Sequence, residues 1–216
     1  QTFTILKGGR GGKGNYKFKS STNQAPRKFE KGNEGEEVWV WLRLKLIADV
    51  GFLGFPNVGK STLLSNLSNA KAKIGSYPFT TLKPQLGLFR EYDKDIVLAD
   101  LPGLIKGASK GTGLGLKFLA HVERCKVLLH VCDISDVNNL EKNYLIIRKE
   151  LDEYSDKLKY KKEVIVLSKC DLVDKKIILK VKNFLGKITK SKIIPISSHT
   201  KFGINELKKV LHKIFK

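Results

Sequence analysis

The chain has 216 residues, is 41% hydrophobic and 29% charged, and carries a formal net charge of +20. That apolar share suffices for a packed core and excludes a wholly disordered chain. No apolar run reaches the length of a membrane-spanning helix, and the surplus of positive charge points to a polyanionic partner.

The charge is uneven: residues 1–45 hold a net +6, residues 46–156 a net +1 and residues 157–216 a net +13. Of the 41 basic residues 35 are lysine, a bias that a genome poor in G and C also writes, so a solvated lysine face is the competing explanation. Cys125, Cys132 and Cys170 lack metal-ligand spacing and are read as reduced thiols. The chain starts at Gln1 and contains no methionine, so an upstream part is expected.

Residues 1–36 are glycine-rich and turn-like, as in Gly8–Asn15 (GGRGGKGN), and suit loops or extended polyproline-like runs. Phe3, Ile5, Tyr16, Phe18 and Phe29 suggest some packing within them. Glu36–Gly54 then alternates. Val38, Val40, Leu42, Leu44 and Leu46 fall on one face, Trp39, Trp41, Arg43 and Lys45 on the other. The pattern predicts one long strand, with the two tryptophans in a core.

The strongest motif follows. Gly54, Phe55, Pro56, Asn57, Val58, Gly59, Lys60, Ser61 and Thr62 fit G-x-x-x-x-G-K-[ST] between an apolar run and a helical one, Ser61–Ala70. Glycines let backbone N–H groups converge on a phosphate chain, Lys60 reaches its β- and γ-phosphates, and the Ser61 hydroxyl ligates Mg²⁺. Phe79, Thr80, Thr81, Leu82 and Lys83 form a candidate switch, whose threonines can close over Mg²⁺ and the γ-phosphate. A hairpin, Leu86–Tyr92 and Asp95–Gly103, ends in Asp100, Leu101, Pro102 and Gly103, a D-x-x-G. Its carboxylate can hold Mg²⁺ through water, and the Gly103 N–H can sense the γ-phosphate.

A helix is predicted over Leu116–Cys125, a strand over Lys126–Ser135 and an amphipathic helix over Asn138–Leu158. His121 and His130 sit in apolar runs and read as core or rim residues. Glu163–Asp171 reads as a strand ending in Ser168, Lys169, Cys170 and Asp171. A carboxylate at Asp171 can accept from guanine N1–H and the 2-amino group, which adenine cannot supply, while the Lys169 stem lies over the base. Ser168 stands where such motifs carry asparagine, so one hydrogen bond is kept where an amide makes several. A last strand, Lys192–Ser198, leads into Ser197, Ser198 and His199, whose N–H groups suit guanine O6. Gly203–Phe215 closes the chain as a helix with Ile204, Leu207, Val210, Leu211 and Ile214 inward.

GGRGGKGN, SSTNQAPRKFEKGNEGEE, LRLKLIADVGFLGFPNVGKSTLLS, YPFTTLKPQLG, ADLPGLIKGA, GLGLKFLAHVERC and LLHVCDIS occur in this order. On these motifs the chain resembles the Obg family of ribosome-assembly GTPases, nearly end to end. The resemblance implies that residues 1–45 are the C-terminal remainder of a glycine-rich Obg domain. Residues 46–216 are then a three-layer α/β G domain with a six-stranded, mostly parallel sheet, preceded by a short glycine-rich β segment. It implies slow, Mg²⁺-dependent hydrolysis of GTP to GDP, Thr81 as Mg²⁺ ligand beside Ser61, and binding to the large ribosomal subunit and its rRNA. The glutamine that usually follows D-x-x-G is Leu104 here. A leucine cannot orient water, and the family pattern suggests K⁺ held partly by Asn57 instead. Lys60, Thr81, Gly103 and Asn57 are thus the catalytic candidates. A cytoplasmic monomer is expected, with an organelle matrix as the alternative. Rival readings are a degenerate GTPase that binds without turnover, an ATPase of like topology, and an RNA-binding protein in which GTP is incidental.

Overall fold

A computed structural model describes residues 3–41, 48–68, 73–74, 84–91, 94–101 and 113–216. The chain divides into two compact units, Gln1–Arg43 and Leu44–Lys216.

In the first unit two extended runs pair antiparallel. Glu30, Asn33 and Glu36 N–H groups donate to the carbonyls of Lys13, Arg10 and Lys7 at 2.9, 2.8 and 3.2 Å. The three-residue step is that of polyproline II, which has three residues per turn and no hydrogen bonds of its own. Glycine allows the approach: a Cβ on Gly9 would lie 1.9 Å from the Asn33 carbonyl oxygen, and one on Gly12 1.9 Å from that of Glu30. The aromatic packing expected here is not found. Phe3, Ile5, Tyr16 and Phe29 are exposed and Phe18 half-buried, because backbone rather than side chains fills the contact. The glycine-rich β segment and the long strand are also corrected: residues 3–41 form no strand, because the paired runs step by three residues and not by two. With no sheet face to cover them, Trp39 and Trp41 are 98% and 99% exposed, against the expectation of a core. Leu42, Leu44 and Leu46 lie outside the described residues.

The second unit is organised on β1 (Ala48–Leu53), buried on both sides and continuously apolar apart from Asp49, as a central parallel strand should be. Its partners are β4 (Lys94–Asp100) and β5 (Cys125–Asp133), both parallel to it. β6 (Glu163–Ser168) and β7 (Lys192–Pro195) extend the parallel sheet beyond β5. β3 (Gln85–Glu91) pairs antiparallel with β4, as the hairpin reading requires. A two-residue edge strand, β2 (Lys73–Ile74), makes the sheet order β2-β3-β4-β1-β5-β6-β7. The six strands expected are therefore present, and the seventh is too short to show a period.

Helices cover both faces. α1 (Lys60–Leu67) and α6 (Ile204–Phe215) pack Leu63, Leu64, Leu67, Leu207 and Leu211 against Phe52, Leu129 and Val166. On the other face lie α2 (Gly113–Glu123), α3 (Val137–Tyr154) and α5 (Lys175–Ile188), with Leu119, Ile147, Leu151 and Leu185 inward. The helix expected over Asn138–Leu158 breaks at Ser155. This residue is extended, and its hydroxyl accepts from the Leu158 N–H to cap a short α4 (Asp156–Lys159). α2 ends before Cys125, which begins β5, and β7 ends at Pro195 rather than Ser198. Sequence reading assigned no element to α5, although Ile177, Ile178, Val181 and Leu185 carry helical spacing. His121 and His130 are buried, as read. All three cysteines are buried and unpaired.

Candidate functional site

β1 delivers residues 54–59 to the N-terminus of α1. The loop turns on three left-handed residues, Gly54 (φ 145°), Asn57 (φ 62°) and Gly59 (φ 95°). At Gly54 the backbone also runs close, since a Cβ would sit 2.5 Å from the Val131 carbonyl oxygen. Gly59 caps α1 with no side-chain hydrogen bond, which leaves the first helical N–H groups for an anion. Lys60 is buried under the loop, and its Nζ donates to the carbonyls of Gly54 and Phe55 at 3.0 and 2.9 Å. Burial lowers its pKa, and the nearby Asp100 opposes that. The ammonium is thus held inside the bend, where an incoming phosphate would exchange for carbonyl oxygens.

Strand register supplies the carboxylate. Asp100, last in β4, pairs with Phe52 of β1 and so lies beside the loop. The Ser61 hydroxyl donates to its Oδ2 at 2.6 Å, while its buried Oδ1 has no partner among the described residues. Burial raises the Asp100 pKa, against the Ser61 hydrogen bond and the Lys60 charge. A hydroxyl and a carboxylate with an orphaned oxygen, side by side, are the hard donors Mg²⁺ takes. The residues present fit that ion.

The base end is built on β6. Ser168 is buried, and its hydroxyl reaches the Val58 carbonyl at 2.7 Å and that of Cys132 at 3.1 Å. A single O–H ties the end of β6 to the phosphate loop, the one hydrogen bond expected to survive in place of asparagine. Lys169 takes a left-handed turn (φ 60°) and its ammonium pairs with Asp133 at 2.5 Å. Burial pushes the Asp133 carboxyl up, but donation by Lys169 and Ser135 carries it below the usual range. Asp171 is exposed, and a hydrogen bond from Ser197 lowers its pKa. Cys170 is buried, and its N–H donates to the Ile196 carbonyl at 3.1 Å. Asn66 of α1 donates to the Ser198 carbonyl at 2.9 Å and so holds that loop to the phosphate helix.

A cavity of about 410 Å³ is lined by Val58, Gly59, Thr62, Ser65, Asn66, Ser168, Lys169, Asp171, Ser198 and His199, next in sequence to Lys60, Ser61 and Cys170. The structure thus brings the predicted phosphate and base residues together. Ser65, Asn66 and Asp133 were missed. Asp133 was findable only from register, since it pairs with Ser168 across β5 and β6. Phe55 packs between the two halves of the core, Leu101 is buried, and Pro56 and Asn57 are exposed. Phe79, Thr80, Thr81, Leu82, Lys83, Pro102, Gly103 and Leu104 lie outside the described residues.

Residues 49–169 match the family described as 50S ribosome-binding GTPase, and residues 1–46 match the GTP1/OBG family. A GTPase Obg of Rickettsia massiliae is 52% identical over 210 residues, which are 97% of this chain and 63% of that protein. One from Pelagibacter ubique is 49% identical over 208 residues, 96% of this chain and 63% of the relative. The chain therefore spans just under two thirds of the length of these relatives. Among solved structures, the G domain of the T. maritima FeoB iron transporter superposes with a TM-score of 0.59 at 22% identity. It covers 77% of this chain and 98% of that one, a likeness that concerns the fold alone.

Proposed function

We propose a function from one premise: the chain belongs to the Obg family of GTPases. It binds GTP and GDP with Mg²⁺, hydrolyses GTP slowly, and uses the two nucleotide states as a switch. One observation carries this reading. The Ser168 hydroxyl joins the guanine-reading strand end to the same loop that holds Lys60, so base and phosphate sites form one unit.

In this reading residues 1–45 are the remainder of a glycine-rich Obg domain, and residues 46–216 are the G domain. Lys60 leaves the Gly54 and Phe55 carbonyls to meet the β- and γ-phosphates, while the N–H groups of the loop and of α1 surround them. Asp171 accepts from N1–H and the 2-amino group of guanine, with the Lys169 stem over the ring and the 197–199 loop at O6. Ser61 and Thr81 would hold Mg²⁺, with Asp100 reaching it through water, and the ion would supply positive charge against the phosphates. Thr80, Thr81 and Gly103 report whether that phosphoryl group is present. Asn57 stands at the exposed turn, where it can help hold K⁺ in place of the glutamine that Leu104 replaces. The switch acts on the large ribosomal subunit and its rRNA, in the cytoplasm or an organelle matrix, with the chain as a monomer.

Sedimentation with large subunits under GTP, GDP and a non-hydrolysable analogue tests the switch. Equal recovery in all three states sinks it. The base contact is tested by Asp171→Asn, which should move preference from guanosine to xanthosine triphosphate. Faster turnover in K⁺ than in Na⁺ is expected, and equal rates remove Asn57 from the mechanism.

A further inference from the structure

A cavity of about 890 Å³ among the described residues lies away from the nucleotide loops. It lies at the start of β6, near Glu163, whereas the base is read after Ser168 at the strand's other end. Six residues at roughly 3.3 Å each separate the two. Its walls are α3, the turn from α4 into β6, the loop before β7, and α6.

Both carboxylates in this recess are already paired. Arg148 reaches Asp152 at 2.8 Å and Glu163 at 3.6 Å, and Glu163 also holds the buried His130 at 2.8 Å. Lys161 is turned inward and donates to the carbonyls of Glu123 and Cys125, where it closes the end of α2. Lys162, Lys190 and Lys213 differ. They are exposed on the rim, and no carboxylate among the described residues pairs with them. In the same lining Tyr160 stands 79% exposed, with the Lys159 ammonium 5.7 Å from its ring centroid and with Leu145 and Ile188 also open.

A solvated lysine face accounts for rim charges but not for a tyrosine ring in the same recess that stays 79% exposed although the Lys159 ammonium lies 5.7 Å from its centroid. Phosphates and a flat base account for both, because ring stacking needs an exposed π-face and the backbone needs unpaired cations. We infer that this recess binds single-stranded RNA, with a base stacked on Tyr160 and the flanking phosphates on Lys162, Lys190 and Lys213. The choice of RNA over another polyanion rests on the proposed ribosomal role, and the site itself rests on the recess.

The test is anisotropy of a labelled short oligouridylate titrated with the GDP-loaded full chain across a salt series. The variant K162E/K190E/K213E should lose at least about tenfold in affinity, and its salt slope should fall by about 2. Tyr160→Ala should lose roughly tenfold with the slope unchanged, and Tyr160→Phe should bind like the parent. GDP affinity, measured on the same samples, should stay constant and so certify folding. Parent-like RNA binding by both the charge variant and Tyr160→Ala overturns the site. Tighter binding of a polyglutamate peptide than of RNA also overturns it, in favour of an acidic protein partner. Failure of the parent chain to bind GDP would instead strike the proposed function and leave the RNA result readable by itself.

Discussion

Glycine is placed in the two units for different reasons. In the first, Gly12 faces the Glu30 backbone so closely that a Cβ would lie 1.9 Å from a carbonyl oxygen, and space alone demands it. In the second, Gly59 has nothing within 4 Å of an added Cβ, yet its φ of 95° is one that L side chains avoid. The first unit therefore packs main chain on main chain and leaves its aromatic residues in solvent. The second buries aliphatic side chains and reserves glycine for torsion at the phosphate loop. A chain can thus be ordered by backbone contact alone, and the residues that line the candidate site are all in the second unit.

The contrast is open to attack at several points. The largest effect is expected from Gly9→Ala with Gly12→Ala. The paired runs should separate, hydrogen-exchange protection of the Glu30 and Asn33 amides should vanish, and thermal unfolding of the second unit should not move. A common shift in both would show that the units are coupled. Leu129→Ala, in the second core, should cost about 2–5 kcal/mol of that unit's stability by denaturant titration, with Glu30 and Asn33 protection intact. Ser168→Ala leaves the Val58 and Cys132 carbonyls without their donor. It should cost about 1–3 kcal/mol and weaken GDP binding measured by fluorescence titration. Gly59→Ala should cost about 1–2 kcal/mol from torsion alone, although the space is open.

The smallest expected effect is a pH dependence. Burial holds the Asp100 pKa above its ordinary value, so the folded unit keeps this proton to higher pH than the unfolded chain. Stability from the protonated form is full below the ordinary carboxylate pKa of about 4 and is lost as pH rises through the raised value. Mg²⁺ needs the ionised carboxylate, so Mg²⁺-dependent GTP affinity should rise across the same window. Asp100→Asn should flatten both profiles, raise the melting temperature in the absence of Mg²⁺, and weaken the Mg²⁺ effect on GTP binding. A melting temperature that falls would show that the buried carboxylate is stabilising after all.

Local motifs were legible because their geometry is local. Residues 54–62 declare a phosphate loop, since glycine at both ends and Lys60 followed by Ser61 are demanded by one bend and one helix start. The α6 stripe and the β3–β4 hairpin were legible through their periods. Trp39 and Trp41 misled because alternation shows which residues share a face and not whether a partner strand exists to cover it. The break in α3 was hidden because Leu158 keeps the apolar spacing past Ser155, while the serine hydroxyl caps the next turn. α5 was overlooked although its apolar spacing is helical, and β2 is too short for any period.

The sequence by itself determined which chemical groups are available: the glycine bend of residues 54–59, the Ser61 hydroxyl, and the Asp100 and Asp171 carboxylates. Only the tertiary structure decided that Ser61 meets Asp100 and that Ser168 meets the Val58 carbonyl. These pairs lie 39 and 110 residues apart. They meet because parallel register across β4, β1, β5 and β6 brings the strand ends to one edge, and pairing register is a property of the assembled sheet rather than of any single strand.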